Sequence, residues 1–343
     1  MSIQQFFRPE TPIIQAPMAG GISTPEFVAA AANAGIIGSF GFAYSTANKI
    51  DVDLRAGRAL TSGPINANFF VFGPVAAPSA SEFDHAVTAL RELPLAATLE
   101  FASVTAPYYP PLADQLAPIW DHKPELVTFH FGIPDQAIIT RAQSLGILVG
   151  VTATSLAEGH QIAAAGADFI VAQGIEAGGH RGTFEAEADS DEQLTTATLT
   201  AQLSAGLKIE IVSAGGVMTA ADIATMWRHG ATAVQMGTAF LCCDEAGTDP
   251  VYRDYLLNKQ DRETVLTRGF SGRWARSIET EFTAKMRGQP VLPFPIQNTV
   301  TGGLRKHSVA SGTGECFSLW AGTGFAKVQA LPMATMVKML AQG

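Results

Sequence analysis

Eight short apolar runs recur between Ile13 and Thr238 of this 343-residue chain, and their repetition most constrains the fold. The runs lack the alternation of apolar and polar residues that a half-exposed strand shows, which is typical of strands buried on both faces of a parallel sheet. Helix-forming segments follow most of them, so the pattern predicts an α/β protein, a (β/α)8 TIM barrel. The runs cover residues 12–17, 36–41, 65–71, 126–131, 147–152, 168–173, 209–213 and 231–236.

The segments between the runs carry helix signals. Residues 24–35, 155–166 and 219–230 each begin with Thr or Ser, which can cap a helix, and each ends in glycine. A doubly wound sheet is the alternative fold, but residues 18–21 (MAGG) do not match the glycine spacing expected after its first strand. The long segment between the third and fourth runs predicts a helix over 81–92 and a proline-rich turn that lies over the barrel mouth. Its residues 95–101 form a competing strand candidate.

The pattern changes after Leu241, which suggests three parts. Residues 1–240 are predicted to form the barrel. Residues 241–320 are predicted to form a mainly helical lobe that covers the substrate side, the C-terminal face of the barrel. Residues 321–343 are predicted to form a closing helix that packs back on the barrel. Within these parts, 250–261 and 327–340 are predicted helices, whereas 269–276 and 289–295 are irregular.

Composition argues against several classes of partner. The net charge is −9 without a block of like charges, so nucleic acid and anionic membranes are poor partners. No apolar run reaches the roughly 18 residues of a membrane span, and the N-terminus lacks signal-peptide features. Three cysteines, two of them adjacent, indicate a reducing compartment, so we expect a cytoplasmic protein. The low charged fraction of 15% suggests a subunit interface, and a homodimer is one expectation.

Two glycine turns follow consecutive strands. Gly215 and Gly216 come after the seventh run, and Gly237 and Thr238 come after the eighth. Barrels commonly bind phosphate at these loops, where a Cβ would obstruct the approach of a phosphate to backbone N–H groups. Ordinary tight turns are the alternative, but two such turns at the expected places favour a phosphate site.

A glycine-rich loop with a histidine follows the sixth run. Residues 173–182 contain four glycines, and His180 among them can exchange a proton near neutral pH. This position at the catalytic end of a barrel favours a functional histidine over a structural one. Arg181 could bind an anionic substrate or pair with an acidic residue. A charge that faces the solvent is an equally good interpretation. Glu176 is interpreted as an acceptor that fixes the loop. The seven histidines show no metal-ligand spacing, so no metal is expected.

Taken together, these motifs resemble the nitronate monooxygenase family, class I. The Glu-Ala-Gly-Gly-His-Arg-Gly run at 176–182 is the most specific part of the resemblance. The other parts occur in the family's order and spacing, at residues 12–21, 66–70, 172–182, 213–217 and 235–238.

This resemblance implies an enzyme that uses FMN and O2, without a metal, to oxidise alkyl nitronates such as propionate 3-nitronate to a carbonyl compound and nitrite. His180 matches the active-site histidine, which orients the anionic nitronate or acts as a base on a neutral nitroalkane. The implied substrate-side residues are Tyr108 or Tyr109 and Lys306, and the position of Arg181 in the glycine-rich loop makes it a further candidate. The implied FMN contacts are Ala16, Pro17, Met18, Asn68, Gln173, Gly178, Gly179, Gly215, Gly216, Gln235, Gly237 and Thr238.

Two departures and two rival functions accompany the resemblance. Thr323 stands where the family pattern leads us to expect a Gln that contacts the cofactor. Phe294 stands where it leads us to expect Tyr, so the substrate wall is more apolar. One rival is an FMN- and NAD(P)H-dependent enoyl-acyl-carrier-protein reductase, which Ala177 and Arg181 disfavour. The other is a non-catalytic barrel that binds a phosphorylated ligand.

Overall fold

The computed structural model describes residues 2–185 and 191–342, and its main sheet is a closed parallel barrel. Eight strands pair in parallel in the order β1-β9-β8-β6-β5-β4-β3-β2. Hydrogen bonds between β1 and Ile37, just before β2, close the ring: Gln15 N to Ile37 O at 2.8 Å and Ile37 N to Ile13 O at 3.1 Å. The barrel strands are β1 (Ile13–Gln15), β2 (Gly38–Gly41), β3 (Ile65–Phe70), β4 (Leu126–His130), β5 (Leu148–Ala153), β6 (Phe169–Gln173), β8 (Glu210–Ala214) and β9 (Ala233–Met236). The predicted (β/α)8 barrel is therefore confirmed, and each predicted run coincides with one strand.

Helices surround the barrel and begin at the caps that the sequence provides. Thr24 Oγ1 accepts a hydrogen bond from Phe27 N, and Thr219 forms a capping box with Asp222. The helices are α1 (Pro25–Asn33), α2 (Ala47–Leu60), α3 (Ala80–Arg91), α4 (Leu112–His122), α5 (Gln136–Ser144), α6 (Leu156–Ala164), α7 (Thr196–Gly206), α8 (Ala220–Arg228), α9 (Pro250–Asn258), α10 (Glu281–Lys285), α11 (Ile296–Val300), α12 (Gly302–Ala310) and α13 (Met333–Leu340). No helix in residues 2–185 and 191–342 is long and apolar enough to cross a membrane.

The core has a layer outside the barrel strands and a layer inside them. Phe69 and Phe129 are fully buried against apolar residues of helices such as Leu116. Inside the barrel, Phe169 and Val212 pack with Ile3 of a short N-terminal turn. The backbone N–H of Ile3 donates to Glu210 Oε2 at 2.9 Å, which fixes this turn to the start of β8. The N-terminal end of the barrel is thus filled by the protein itself.

The segment 95–101 is not a strand, so that candidate was wrong. Pro94–Ala96 forms a single 3-10 turn, a further turn follows at 97–98, and residues 99–101 belong to no helix or strand. Leu95, Leu99 and Phe101 instead pack on a cluster that contains Phe270 and Phe282. Their apolar character therefore comes from side-chain packing and not from strand pairing.

The region after Leu241 contains strands as well as the predicted helices. β10 (Thr264–Thr267) pairs antiparallel with β11 (Ala275–Ile278), and β11 pairs with β7 (Gly179–His180). The prediction of an irregular segment over 269–276 was therefore wrong at its end, where Ala275 begins a strand. The last helix begins at Met333, later than predicted, and packs against α1. The division into three parts stays a prediction.

Candidate active site

A large cavity lies at the C-terminal ends of the barrel strands, with a volume of about 1070 Å³. Its wall is built by residues that directly follow the strands and by residues of the segment after Leu241. The sequence-predicted residues that line it are Ala16, Pro17, Met18, Asn68, Gln173, Gly178, Gly179, His180, Gly215, Gly216, Gln235, Gly237, Thr238 and Lys306. Parallel strands bring these dispersed positions to one edge, as barrels generally do.

The two glycine turns present backbone donors to one part of this cavity. Gly215 and Gly216 have φ of +123° and +68°, a backbone conformation that L-residues rarely adopt. Among the described residues, no acceptor takes the backbone N–H groups of Gly216, Gly237 or Thr238. Thr238 Oγ1 accepts from Gly322 N at 3.0 Å, so its own proton remains for another acceptor. Such a group of donors suits a phosphate.

The remaining predicted cofactor positions differ in how far they are free to contact a ligand. Met18 N donates to Ser23 Oγ at 3.1 Å, so this amide already has a partner. Asn68 Nδ2 donates to Thr128 Oγ1 at 3.0 Å within the barrel. Gln173 Nε2 donates to His180 O at 2.9 Å. These polar side chains therefore organise the cavity wall as well as line it.

His180 lies in β7 and is held from three sides. Its carbonyl accepts from Gln173 and lies 3.3 Å from His130 Nε2, and its backbone pairs with Ala275 of β11. Its Nε2 lies 2.8 Å from Ser271 Oγ. The imidazole ring is thereby fixed at the cavity wall.

The surroundings of this ring are aromatic and positively charged. Ring centroids of Phe294 and Trp320 lie 5.6 and 5.3 Å from that of His180. Burial, followed by the charges of His130, Arg273 and Arg305, lowers the pKa of His180 to about 3. His180 is therefore neutral at physiological pH.

Arg181 lies behind the loop and does not line the cavity. Its side chain is 1% exposed and forms an ion pair with Asp191, with Nε to Oδ2 and Nη2 to Oδ1 both 2.8 Å. Its Nη1 donates to the carbonyl oxygens of Gln173 and Gly174. The structure thus contradicts the predicted contact of Arg181 with substrate, because every face of the guanidinium has an internal partner. The alternative, an acidic partner, is what the structure shows, and Glu176 fixes the loop by accepting from Thr196 N at 2.9 Å.

The predicted tyrosines lie farther from the cavity than expected. Tyr109 stacks on Phe72, with centroids 4.2 Å apart, and Phe72 stacks on Phe294, which adjoins His180. Tyr108 packs on the cluster around Phe270. Neither tyrosine lines the cavity, so the prediction that they contact substrate lacks support from the structure.

Sequence reasoning missed three polar residues near His180, namely Tyr44, Arg273 and Arg305. Tyr44 and Arg305 line the cavity, and Arg273 lies over the ring of Phe131, 3.9 Å from its centroid. Tyr44 follows the second predicted strand, a position from which barrel enzymes recruit site residues, so it was open to prediction. Nothing in the sequence pattern placed the two arginines. In residues 2–185 and 191–342, no cluster of His, Cys, Asp or Glu is suited to hold a metal ion.

Comparison with known proteins decides the family. The family model described as nitronate monooxygenase matches residues 4–343. The chain belongs to the nitronate monooxygenase family. It is 39% identical to the nitronate monooxygenase of Paraburkholderia phytofirmans over 96% of this chain and 91% of that one. It is 38% identical to the nitronate monooxygenase of Pseudomonas aeruginosa over 97% of this chain and 96% of that one.

A solved structure agrees with this assignment. The structure of a nitroalkane oxidase from Streptomyces ansochromogenes superposes with a TM-score of 0.91 at 34% identity, covering 99% of this chain and 96% of that one. The nitronate monooxygenase family consists of flavin-dependent oxidoreductases that oxidise nitronates. The chain is therefore an enzyme of this class, and its cavity is the candidate active site.

Proposed function

We propose that the protein uses FMN and O2 to oxidise alkyl nitronates, with propionate 3-nitronate as the expected substrate, to a carbonyl compound and nitrite. The observation that carries this proposal is the placement of His180 in the same cavity as the glycine turns at 215–216 and 237–238. This placement supports a reaction in which a phosphorylated cofactor and a small anion meet in one cavity.

The residues present fit a phosphorylated flavin. The unpaired N–H groups of Gly216, Gly237 and Thr238 would hold the phosphate, and Thr323 Oγ1 lies beside the same turn. Ala16, Pro17 and Met18 would lie along the ring system. FMN, when bound, supplies the redox chemistry by accepting an electron from the substrate before oxygen completes the oxidation.

The state of His180 favours a nitronate over a neutral nitroalkane as substrate. A general base works best when its pKa lies near the working pH, and burial holds the pKa of His180 at about 3. A nitronate is already an anion and needs no base. Neutral His180 would orient it by a hydrogen bond, while the guanidinium group of Arg273 supplies the positive potential that attracts it.

The first experiment is anaerobic mixing of the purified protein with propionate 3-nitronate while the flavin spectrum is recorded. We expect bound FMN to be reduced, and to be reoxidised with release of nitrite when O2 is admitted. An unchanged spectrum would contradict the proposal. Rapid bleaching by NADPH would instead favour the enoyl reductase. A colourless protein that cannot be reconstituted with FMN would favour a phosphate-binding barrel.

A variant tests the role of His180. We expect His180→Asn to retain FMN but to lower kcat/KM for propionate 3-nitronate by roughly 10- to 100-fold, the range for a lost hydrogen bond to a charged group. His229→Asn, the same change at an exposed position after α8, is the matched control and should behave like the wild type. Equal kinetics of His180→Asn and the control would show that His180 is only structural.

A further inference from the structure

The cavity has a second polar corner, formed by Tyr44, Asn298 and Arg305, that the reaction at His180 does not use. The hydroxyl of Tyr44 and the Nε of Arg305 are buried, and neither has a hydrogen-bond partner among the described residues. Buried polar groups are nearly always hydrogen-bonded, and an unpaired one costs about 1–3 kcal/mol. Two unpaired donors on the wall of one cavity therefore point to a ligand that accepts from both.

The charges in this corner specify an anion. Arg305 Nη2 donates to Asn298 O and to Asn298 Oδ1 at 3.0 Å, and both acceptors are neutral. Among the described residues, Arg305 and the neighbouring Arg273 form no ion pair with a carboxylate, and the charge of Glu158 acts on Arg273 but not on Arg305. Burial lowers the pKa of Arg273 only to about 10, so its guanidinium stays protonated at pH 7. Buried cations without a counter-ion are costly, and a bound anion would remove that cost.

One aromatic ring adjoins both the corner and His180. The ring centroid of Phe294 is 6.4 Å from that of Tyr44 and 5.6 Å from that of His180. The charge of Arg305 acts on both Tyr44 and His180, which places it near both. A short molecule with an anionic group at each end would contact both the corner and His180, whereas a simple alkyl chain would leave the two donors unpaired.

We propose that Tyr44 and Arg305 form a second anion-binding subsite, which holds a carboxylate of the substrate while the nitronate group lies at His180. This inference rests on the proposed function, and it makes these two residues the determinants of substrate choice. The enzyme then prefers a nitronate that carries a carboxylate over an alkyl nitronate of the same length.

The test compares two substrates in the FMN-bound protein. Propionate 3-nitronate carries the carboxylate, and propyl 1-nitronate has the same carbon chain without it. We expect Arg305→Leu to lower kcat/KM for the former by roughly 10- to 100-fold, the range for a lost hydrogen bond to a charged group, and to change the latter less than twofold. Tyr44→Phe preserves the ring packing and should show the same selectivity with a smaller loss. Arg287→Leu, at an exposed ion pair with Glu279, is the matched control.

A binding measurement separates this inference from the proposed function. Succinate, a dicarboxylate without a nitro group, is titrated against the FMN-bound protein while the flavin absorbance is followed. We expect the Kd of succinate to rise at least tenfold in Arg305→Leu relative to wild type and Arg287→Leu. If no nitronate is oxidised but this difference appears, the function fails and the subsite stands. Equal loss for both nitronates, or equal Kd values for succinate, would overturn the subsite.

Discussion

The neutral state of His180 follows from its immediate neighbours. Burial is the main cause, and nearby cations add to it, because a second positive charge beside Arg273 and Arg305 would be repelled. The nearby His130 has its pKa lowered to about 3 for the same reasons. The site thus concentrates fixed positive charge on arginines and keeps both imidazoles uncharged, so that they act as hydrogen-bonding groups.

This state predicts a flat pH profile. Because a lowered pKa means that the proton leaves at lower pH, His180 stays neutral throughout the range from about pH 6 to pH 8 in which an unperturbed histidine would titrate. We expect kcat/KM for freshly diluted propionate 3-nitronate to show no ionisation near pH 6.5. An ionisation at that pH that vanishes in His180→Asn would show that the histidine titrates as in water.

Residue by residue, the sequence predicted the glycine turns well and the charged residues poorly. Glycines at strand ends have a local cause, since the backbone conformations at Gly215 and Gly216 require them. Arg181 carried no such local signal. Its neighbours in the chain left an anionic substrate, an acidic partner and a solvent-facing charge equally open, whereas the fold brings Asp191 and two carbonyl groups around its guanidinium.

At the scale of elements, the loop that carries His180 forms a short strand, and contacts within the protein fix its position. β7 contributes only two residues, and its partner β11 lies about 95 residues later in the chain. Arg181 connects this loop to the end of β6 and to Asp191. Such a short strand has no periodic pattern to recognise, which explains why sequence analysis predicted a loop and missed the three-stranded sheet.

The support by Arg181 is testable by its removal. Arg181→Leu would leave Asp191, which is 11% exposed, without its partner, and breaking a buried ion pair costs about 3–5 kcal/mol. We expect a lower Tm and a lower kcat/KM, because His180 adjoins the freed segment. Thermal unfolding followed by circular dichroism measures the first effect.

The double variant Arg181→Leu/Asp191→Leu separates charge from packing. The double variant removes the unpaired carboxylate, so its Tm should lie above that of Arg181→Leu. It should stay below the Tm of the wild type, because the hydrogen bonds from Arg181 to the carbonyl groups of Gln173 and Gly174 are still lost. Arg55→Leu, at an exposed ion pair with Asp51, provides the control for loss of a surface pair. An unchanged Tm in Arg181→Leu would show that the loop does not depend on this ion pair.

At the scale of the whole molecule, the barrel is filled at one end and open at the other. Ile3 and the interior apolar residues occupy the N-terminal end, and the cavity occupies the C-terminal end. The sequence predicted this architecture because it repeats eight times and each repeat adds evidence. It could not place Arg305 against the cavity, because that position depends on tertiary packing between segments more than 100 residues apart.

Since the walls of the cavity come from most strands of the barrel, FMN binding should stabilise the whole fold. A ligand that binds only the folded state at 100 times its Kd adds about 2.7 kcal/mol to the free energy of unfolding. We expect the Tm to rise with FMN concentration, and Thr238→Val to reduce the rise, because it removes a donor beside the phosphate turns. A tenfold weaker Kd would reduce the added stability by about 1.4 kcal/mol.

The quantity to compare between variants is the rise in Tm that FMN causes. The Tm without FMN is not suitable, because Thr238→Val also loses the hydrogen bond from Gly322 N. Thr88→Val, whose exposed hydroxyl bonds only within its own helix, is the control, and an equal rise in both variants would place the phosphate away from Thr238.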